Sequence, residues 1–148
     1  MKRLGLSALC VMTCTAATPA HWQDVGRFVI PRNDAGVRVI VTNFVDTAHI
    51  VRDGPYWQAW TQQHYDSPMR TFNGASFVQA TALLRVDCER RRSAVVRDRL
   101  ENTEGQVVYR STPHALEWTD AVPDSISAFQ IDLVCSQVSG VNRPAQPS

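Results

Sequence analysis

Thiols, imidazoles, guanidinium groups and indoles are the side chains of this sequence with chemistry to offer, and their spacing limits what that chemistry is. Of the four cysteines, Cys10 and Cys14 stand within the first 20 residues, while Cys88 and Cys135 lie far downstream. The histidines His21, His49, His64 and His114 are scattered. Their closest pairing with a carboxylate, His64-Tyr65-Asp66, falls short of the three or four converging ligands a metal needs, and a surface histidine is expected there. Were His21 the first residue of a processed chain, its amine and imidazole would offer two nitrogens to copper, with His49, His64 or His114 as a third; nothing in the sequence selects that use of His21. No HExxH, CxxC or nucleophile elbow occurs, and no glycine-rich loop joins a strand to a helix. No catalytic residue, metal site or cofactor is therefore expected, and the chain reads as a non-enzyme.

The densest cluster of one chemical type is arginine. Arg85, Arg90, Arg91, Arg92, Arg97 and Arg99 place six guanidinium groups within 15 residues, enough for a local anion-binding surface. Arg90, Arg91, Arg92, Arg97 and Arg99 are the candidate ligand contacts, with sulfated glycans, acidic protein segments or anionic lipid as ligand chemistries. Asp87, Glu89, Asp98 and Glu101 interleave with them, so the same stretch also reads as self-neutralised strands facing water. Trp22, Trp57, Trp60 and Trp118 are large enough for core or interface packing to explain them before sugar stacking does.

Composition sets the frame for these residues. The chain has 148 residues, 44% hydrophobic and 20% charged, about one globular domain. Its 15 basic and 14 acidic residues leave a formal charge of +1, so no bulk field favours nucleic acid. Met1 to Ala20 opens with Lys2 and Arg3, runs through the mostly apolar Leu4 to Met12 and closes on small residues, the pattern of a secretory signal peptide. Cleavage is expected after Ala20, with Ala17 also satisfying the small-residue rule. The alternative to simple cleavage is lipid attachment at Cys10 or Cys14, which favours a small residue just before the cysteine, where Leu9 and Thr13 stand. The apolar run is far shorter than the roughly 20 residues that span a bilayer, so no transmembrane anchor is expected. Without Lys2 and Arg3 the basic residues number 13, all arginine, so the mature protein is lysine-free with a charge near −1. Export supplies an oxidising compartment, where the two remaining cysteines have one intramolecular connectivity, Cys88 to Cys135. A loop of that length corresponds to about 4 kcal/mol in the chain-entropy model.

The elements that position these residues are mostly strands. Trp22 to Ile30 reads as a first strand, followed by a turn over Pro31 to Gly36 and a second strand in which Val37, Val39 and Val41 alternate with polar residues. Asp53-Gly54-Pro55 launches a third, Tyr56 to Tyr65, and Ser67-Pro68 predicts a loop until Asn73-Gly74. From Val78 to Cys88 the apolar residues alternate, placing Val78, Ala80, Ala82, Leu84, Val86 and Cys88 on a core-facing side. Two further strands, Ser93 to Leu100 and Gln106 to Arg110, form a hairpin about Gly105. Ile126, Phe129, Leu133 and Val134 recur at helical spacing behind an N-cap at Asp124 or Ser125, and Cys135 docks this helix to the sheet. Residues 139–148, with Pro144 and Pro147, read as a disordered tail, leaving 21–138 as the domain.

The order of landmarks has a family likeness. It runs through Val45-Asp46-Thr47-Ala48-His49-Ile50-Val51-Arg52-Asp53-Gly54, Tyr56-Trp57-Gln58-Ala59-Trp60 and Tyr65-Asp66-Ser67-Pro68. Val86-Asp87-Cys88-Glu89-Arg90-Arg91-Arg92, Gly105-Gln106-Val107-Val108, Trp118, Val122-Pro123-Asp124-Ser125 and Val134-Cys135 complete it. This order resembles the surface-adhesin protein E family of small exported proteobacterial domains over about Trp22 to Cys135. The resemblance implies an α+β fold: a six-stranded antiparallel sheet with one C-terminal helix packed on it and tied by the two cysteines. It further implies binding of host matrix or serum proteins and a capacity to form a homodimer through the sheet. An exported non-enzymatic binding domain of a Gram-negative bacterium is expected, in the periplasm or on the outer cell surface, for a protein or polyanionic glycan ligand. The alternative is a periplasmic structural or dimerisation module.

Overall fold

A computed structural model describes residues 18–31, 35–112 and 115–140. Most of the leader, including Cys10 and Cys14, part of the first turn, His114 and all but the start of the tail lie outside the described residues. The chain forms strands β1 (Trp22–Ile30), β2 (Val39–Asp46), β3 (Val51–Asp53), β4 (Tyr56–Arg70), β5 (Ser76–Asp87), β6 (Arg92–Glu101), β7 (Val107–Arg110) and β8 (Thr119–Asp120), then helix α1 (Ile126–Ser139). They build one antiparallel sheet whose main path is β1-β2-β4-β5-β6-β7. The short β3 extends the line of β2 along the start of β4, and β8 lies beside the start of β6. The six-stranded expectation matches this main path, and β3 and β8 are additions too short to show a period in sequence.

The loop expected after Ser67-Pro68 is instead strand: β4 continues to Arg70. Its pairing with β5 jumps from His64 opposite Gln79 to Met69 opposite Phe77, so Pro68 sits in a bulge where its missing N–H removes no ladder bond.

The core lies between the sheet and α1. Val45, Ala59, Leu84 and Val86 meet Ile131 and Val134, with Cys88 and Cys135 packed against the cluster. Cys88 and Cys135 form the disulfide with Cα atoms 5.7 Å apart. Ser125 caps the helix, its Oγ accepting from Ala128 N at 3.2 Å. Gly26, at φ 122°, occupies a bulge in β1, a backbone conformation that L side chains rarely adopt, while an added Cβ would meet only Ile126 Cδ1 at an ordinary contact distance of 3.5 Å. Fully buried Asn43 is satisfied within this layer, accepting from Gln63 Nε2 at 3.0 Å and donating to Val41 O at 3.3 Å.

Candidate functional site

Residues directly opposite in antiparallel strands share a face, and alternation then divides the sheet into a helix side and an open side. Trp57, Ala59, Leu84 and Val86 fall on the helix side. The registers Trp60 to Leu83, Leu83 to Arg97, Thr81 to Arg99 and Arg99 to Arg110 put these residues on the open side, together with Tyr56, Arg85 and Arg92. Of the arginine cluster, Arg85, Arg92, Arg97 and Arg99 therefore gather on the uncovered face, while Arg90 and Arg91 lie in the tight turn between β5 and β6.

Guanidinium groups on this face stand over aromatic rings. Arg92 stands 4.7 Å from the Trp118 ring centroid, Arg97 5.0 Å from Trp60 and Arg85 5.8 Å from Tyr56. Stacking covers the flat face of a guanidinium and leaves its N–H edge to bind an acceptor. Two of these edges are already occupied, Arg85 by Asp53 and Arg92 by Asp87, the latter at 3.0 Å. Arg97 is exposed and has no carboxylate partner among the described residues.

Asp87 organises the turn. Its Oδ1 accepts from Arg90 N at 3.1 Å while its Oδ2 takes Arg92 Nε, and Arg91 adopts φ 50°. Burial pulls the Asp87 carboxyl upward, but the Arg90 amide and the Arg92 guanidinium more than offset it and hold it below the ordinary aspartate value. Arg91 reaches across to Asp132 on α1, and this pairing raises its affinity for the proton. Arg99 pairs with Glu101 at 2.7 Å. The five candidate contacts are thus not one patch: Arg90 and Arg91 sit in the turn, Arg92 stands at the start of β6, and Arg97 and Arg99 lie further along it.

Trp60, Thr81, Arg97, Asp98, Arg99 and Arg110 line a shallow cleft of about 300 Å³ on the open face, three guanidinium groups against one carboxylate. Thr81 is buried, and its Oγ1 has no hydrogen-bond partner. A neighbouring cleft of about 370 Å³ runs from Trp60, Thr81 and Arg99 to Trp22, Asp46 and His49. There the buried Asp46 carboxylate takes three donors: His21 N and Ala48 N on Oδ1, both at 3.0 Å, and His49 Nδ1 on Oδ2 at 2.6 Å. Desolvation opposes its ionisation, but the His49, His21 and Ala48 hydrogen bonds prevail and lower its pKa, while the hydrogen bond to Asp46 raises that of His49.

Neither this Asp46 cluster nor the pairing of Trp60 with Arg97 and of Trp118 with Arg92 is expected from the sequence. Tyr56 and Trp60 stand at odd separations from Ala59, which places them on the opposite face, but their partners depend on inter-strand register, which periodicity does not set. The four tryptophans are not wholly core: Trp22 is 36% exposed, and Trp57, Trp60 and Trp118 are half-buried. His64 and Asp66 do not converge. His64 bonds Gln62, Asp66 accepts from Ile40 N, and no group of three or more metal-ligating residues forms among the described residues.

The molecule is thus an antiparallel sheet with a disulfide-tied helix on one face and an arginine–aromatic surface on the other. The chain belongs to the surface-adhesin protein E family, whose model matches residues 22–136. That membership gives it an adhesin-like function and implies an exported or surface protein. No curated protein and no solved structure matches it. No helix among the described residues is long and apolar enough to cross a membrane.

Proposed function

We propose that this protein is an exported, non-enzymatic binding domain whose open sheet face holds a partner rich in carboxylate or sulfate groups, a host matrix protein or a polyanionic glycan. The observation that carries this reading is Arg97, stacked on Trp60 at 5.0 Å and exposed, with no carboxylate partner among the described residues, beside Arg99 and Arg110 in one cleft. A guanidinium pinned on an indole loses little side-chain entropy when it forks an anionic group. Arg90 adds a second charge at the turn, whereas Arg91 and Arg92 spend theirs on Asp132 and Asp87 and chiefly hold the turn in place.

Surface labelling of intact cells tests where the module works. Labelling without permeabilisation supports adhesion; protection until the outer envelope is opened supports the alternative, a periplasmic structural or dimerisation module.

A further inference from the structure

We propose that removal of residues 1–20 turns the His21 nitrogen into an α-ammonium that ion-pairs with the buried Asp46 carboxylate and locks the start of β1. The position of this nitrogen is set by the sheet rather than by the residues before it. His21 O accepts from Thr47 N at 2.9 Å, His21 Nδ1 meets Thr47 Oγ1 at 2.8 Å, and the next residue, Trp22, pairs with Asp46 in register. His21 N donates to Asp46 Oδ1 at 3.0 Å, and Thr18 to Ala20 belong to no strand or helix, their engagement here being a Thr18 backbone hydrogen bond to His49 and the packing of Ala20 on the cleft, both of which processing would remove.

Charge makes the contact more than a strand-end hydrogen bond. Asp46 is 3% exposed, and a carboxylate removed from water is costly without a countercharge. Among the described residues its one ion pair is with His49, an imidazole that is neutral above its own titration. The other charged group lining the same cleft is Arg99, already paired with Glu101, and the nearby His21 imidazole is engaged by Thr47 Oγ1 at 2.8 Å. A peptide N–H offers Asp46 only a dipole; an ammonium at the same point supplies a full charge. Hydrolysis by a leader peptidase would place the hydroxyl of water on the Ala20 carbonyl carbon and its hydrogen on the His21 nitrogen, which takes a further proton from solvent. Processing would thereby complete a buried ion pair that the unprocessed chain lacks, and so favour the exported form.

The sequence provides a clean test. Lys2 is the one lysine of the chain, so after processing the α-amine is the only primary amine. The full chain, secreted and purified, should have an intact mass starting at His21. Each unit by which the ion pair raises the amine pKa cuts the reactive free base about tenfold, so acetylation by an N-hydroxysuccinimide ester at pH 7 should be about tenfold slower in the folded protein than in guanidinium. Asp46→Asn keeps an acceptor but loses the charge, and should restore fast labelling. A Gly inserted between Ala20 and His21 should do the same by moving the amine off Asp46, which keeps the test decisive if Asp46→Asn does not fold. A first residue other than His21, equal labelling rates folded and denatured, or slow labelling that survives both variants would overturn the proposal.

Discussion

At the scale of the residue, the arginines divide by what they touch. Arg92 is held on both sides, by Asp87 Oδ2 at 3.0 Å and by the Trp118 ring, and its side chain is 21% exposed. Arg92→Ser should therefore destabilise the fold by about 1–3 kcal/mol at pH 7, since it removes a charge-assisted bond from a nearly buried carboxylate. The sign of the pH dependence follows from Asp87, whose folded pKa lies below its unfolded one. Its contribution is present above the unfolded value and is lost as pH falls through the folded value. The melting-temperature gap between wild type and Arg92→Ser should accordingly narrow below about pH 4; a gap constant down to pH 2 would contradict the Asp87–Arg92 assignment. His49 works in the opposite sense. Its pKa is raised by Asp46, so its contribution is complete below about pH 6.5 and fades as pH rises through the folded value. His49→Ala should remove that alkaline-side decline from a thermal-melt pH series.

Elements were legible where one face is apolar. The alternation of Val78 to Cys88 marks β5 and the inward direction of Cys88, and the 3.6-residue recurrence behind Ser125 marks α1, although the buried face runs through Ala128, Ile131, Val134 and Val138 and leaves Phe129 45% exposed. Proline chemistry misled at Pro68, because a bulge lets a strand carry a residue that has no N–H to give. The short β3 and β8 owe their strand geometry to neighbours, β4 and β6, and leave no local signal. Within the candidate site, the arginine cluster was visible as composition, but its division into a turn group and a face group required the β5–β6 register. The helix depends on its dock. Cys135→Ser should cost up to about 4 kcal/mol by loop entropy, and limited proteolysis of the variant should cut first within α1; first cuts in the sheet would argue against the disulfide as the fastening of the helix.

At the scale of the whole molecule, one face of the sheet is committed to the core and the other to arginines stacked on aromatic rings. Near-neutral total charge makes any anion recognition a local property of that face, so salt should weaken it within a Debye length of about 8 Å at physiological ionic strength. The most direct measurement is binding of the purified, processed protein to immobilised heparin and to a matrix-protein coat, at low and high salt, for wild type and Arg97→Ser. Because Arg97 is exposed and its side chain has, among the described residues, a ring contact and no ion pair, the variant should keep its melting stability within about 1 kcal/mol. The predicted result is binding of the wild type to at least one surface at low salt, lost at high salt, and reduced severalfold in the variant. A wild type that binds neither surface at low salt, or an Arg97→Ser protein that binds as well as wild type, would contradict the open arginine face as the site of recognition.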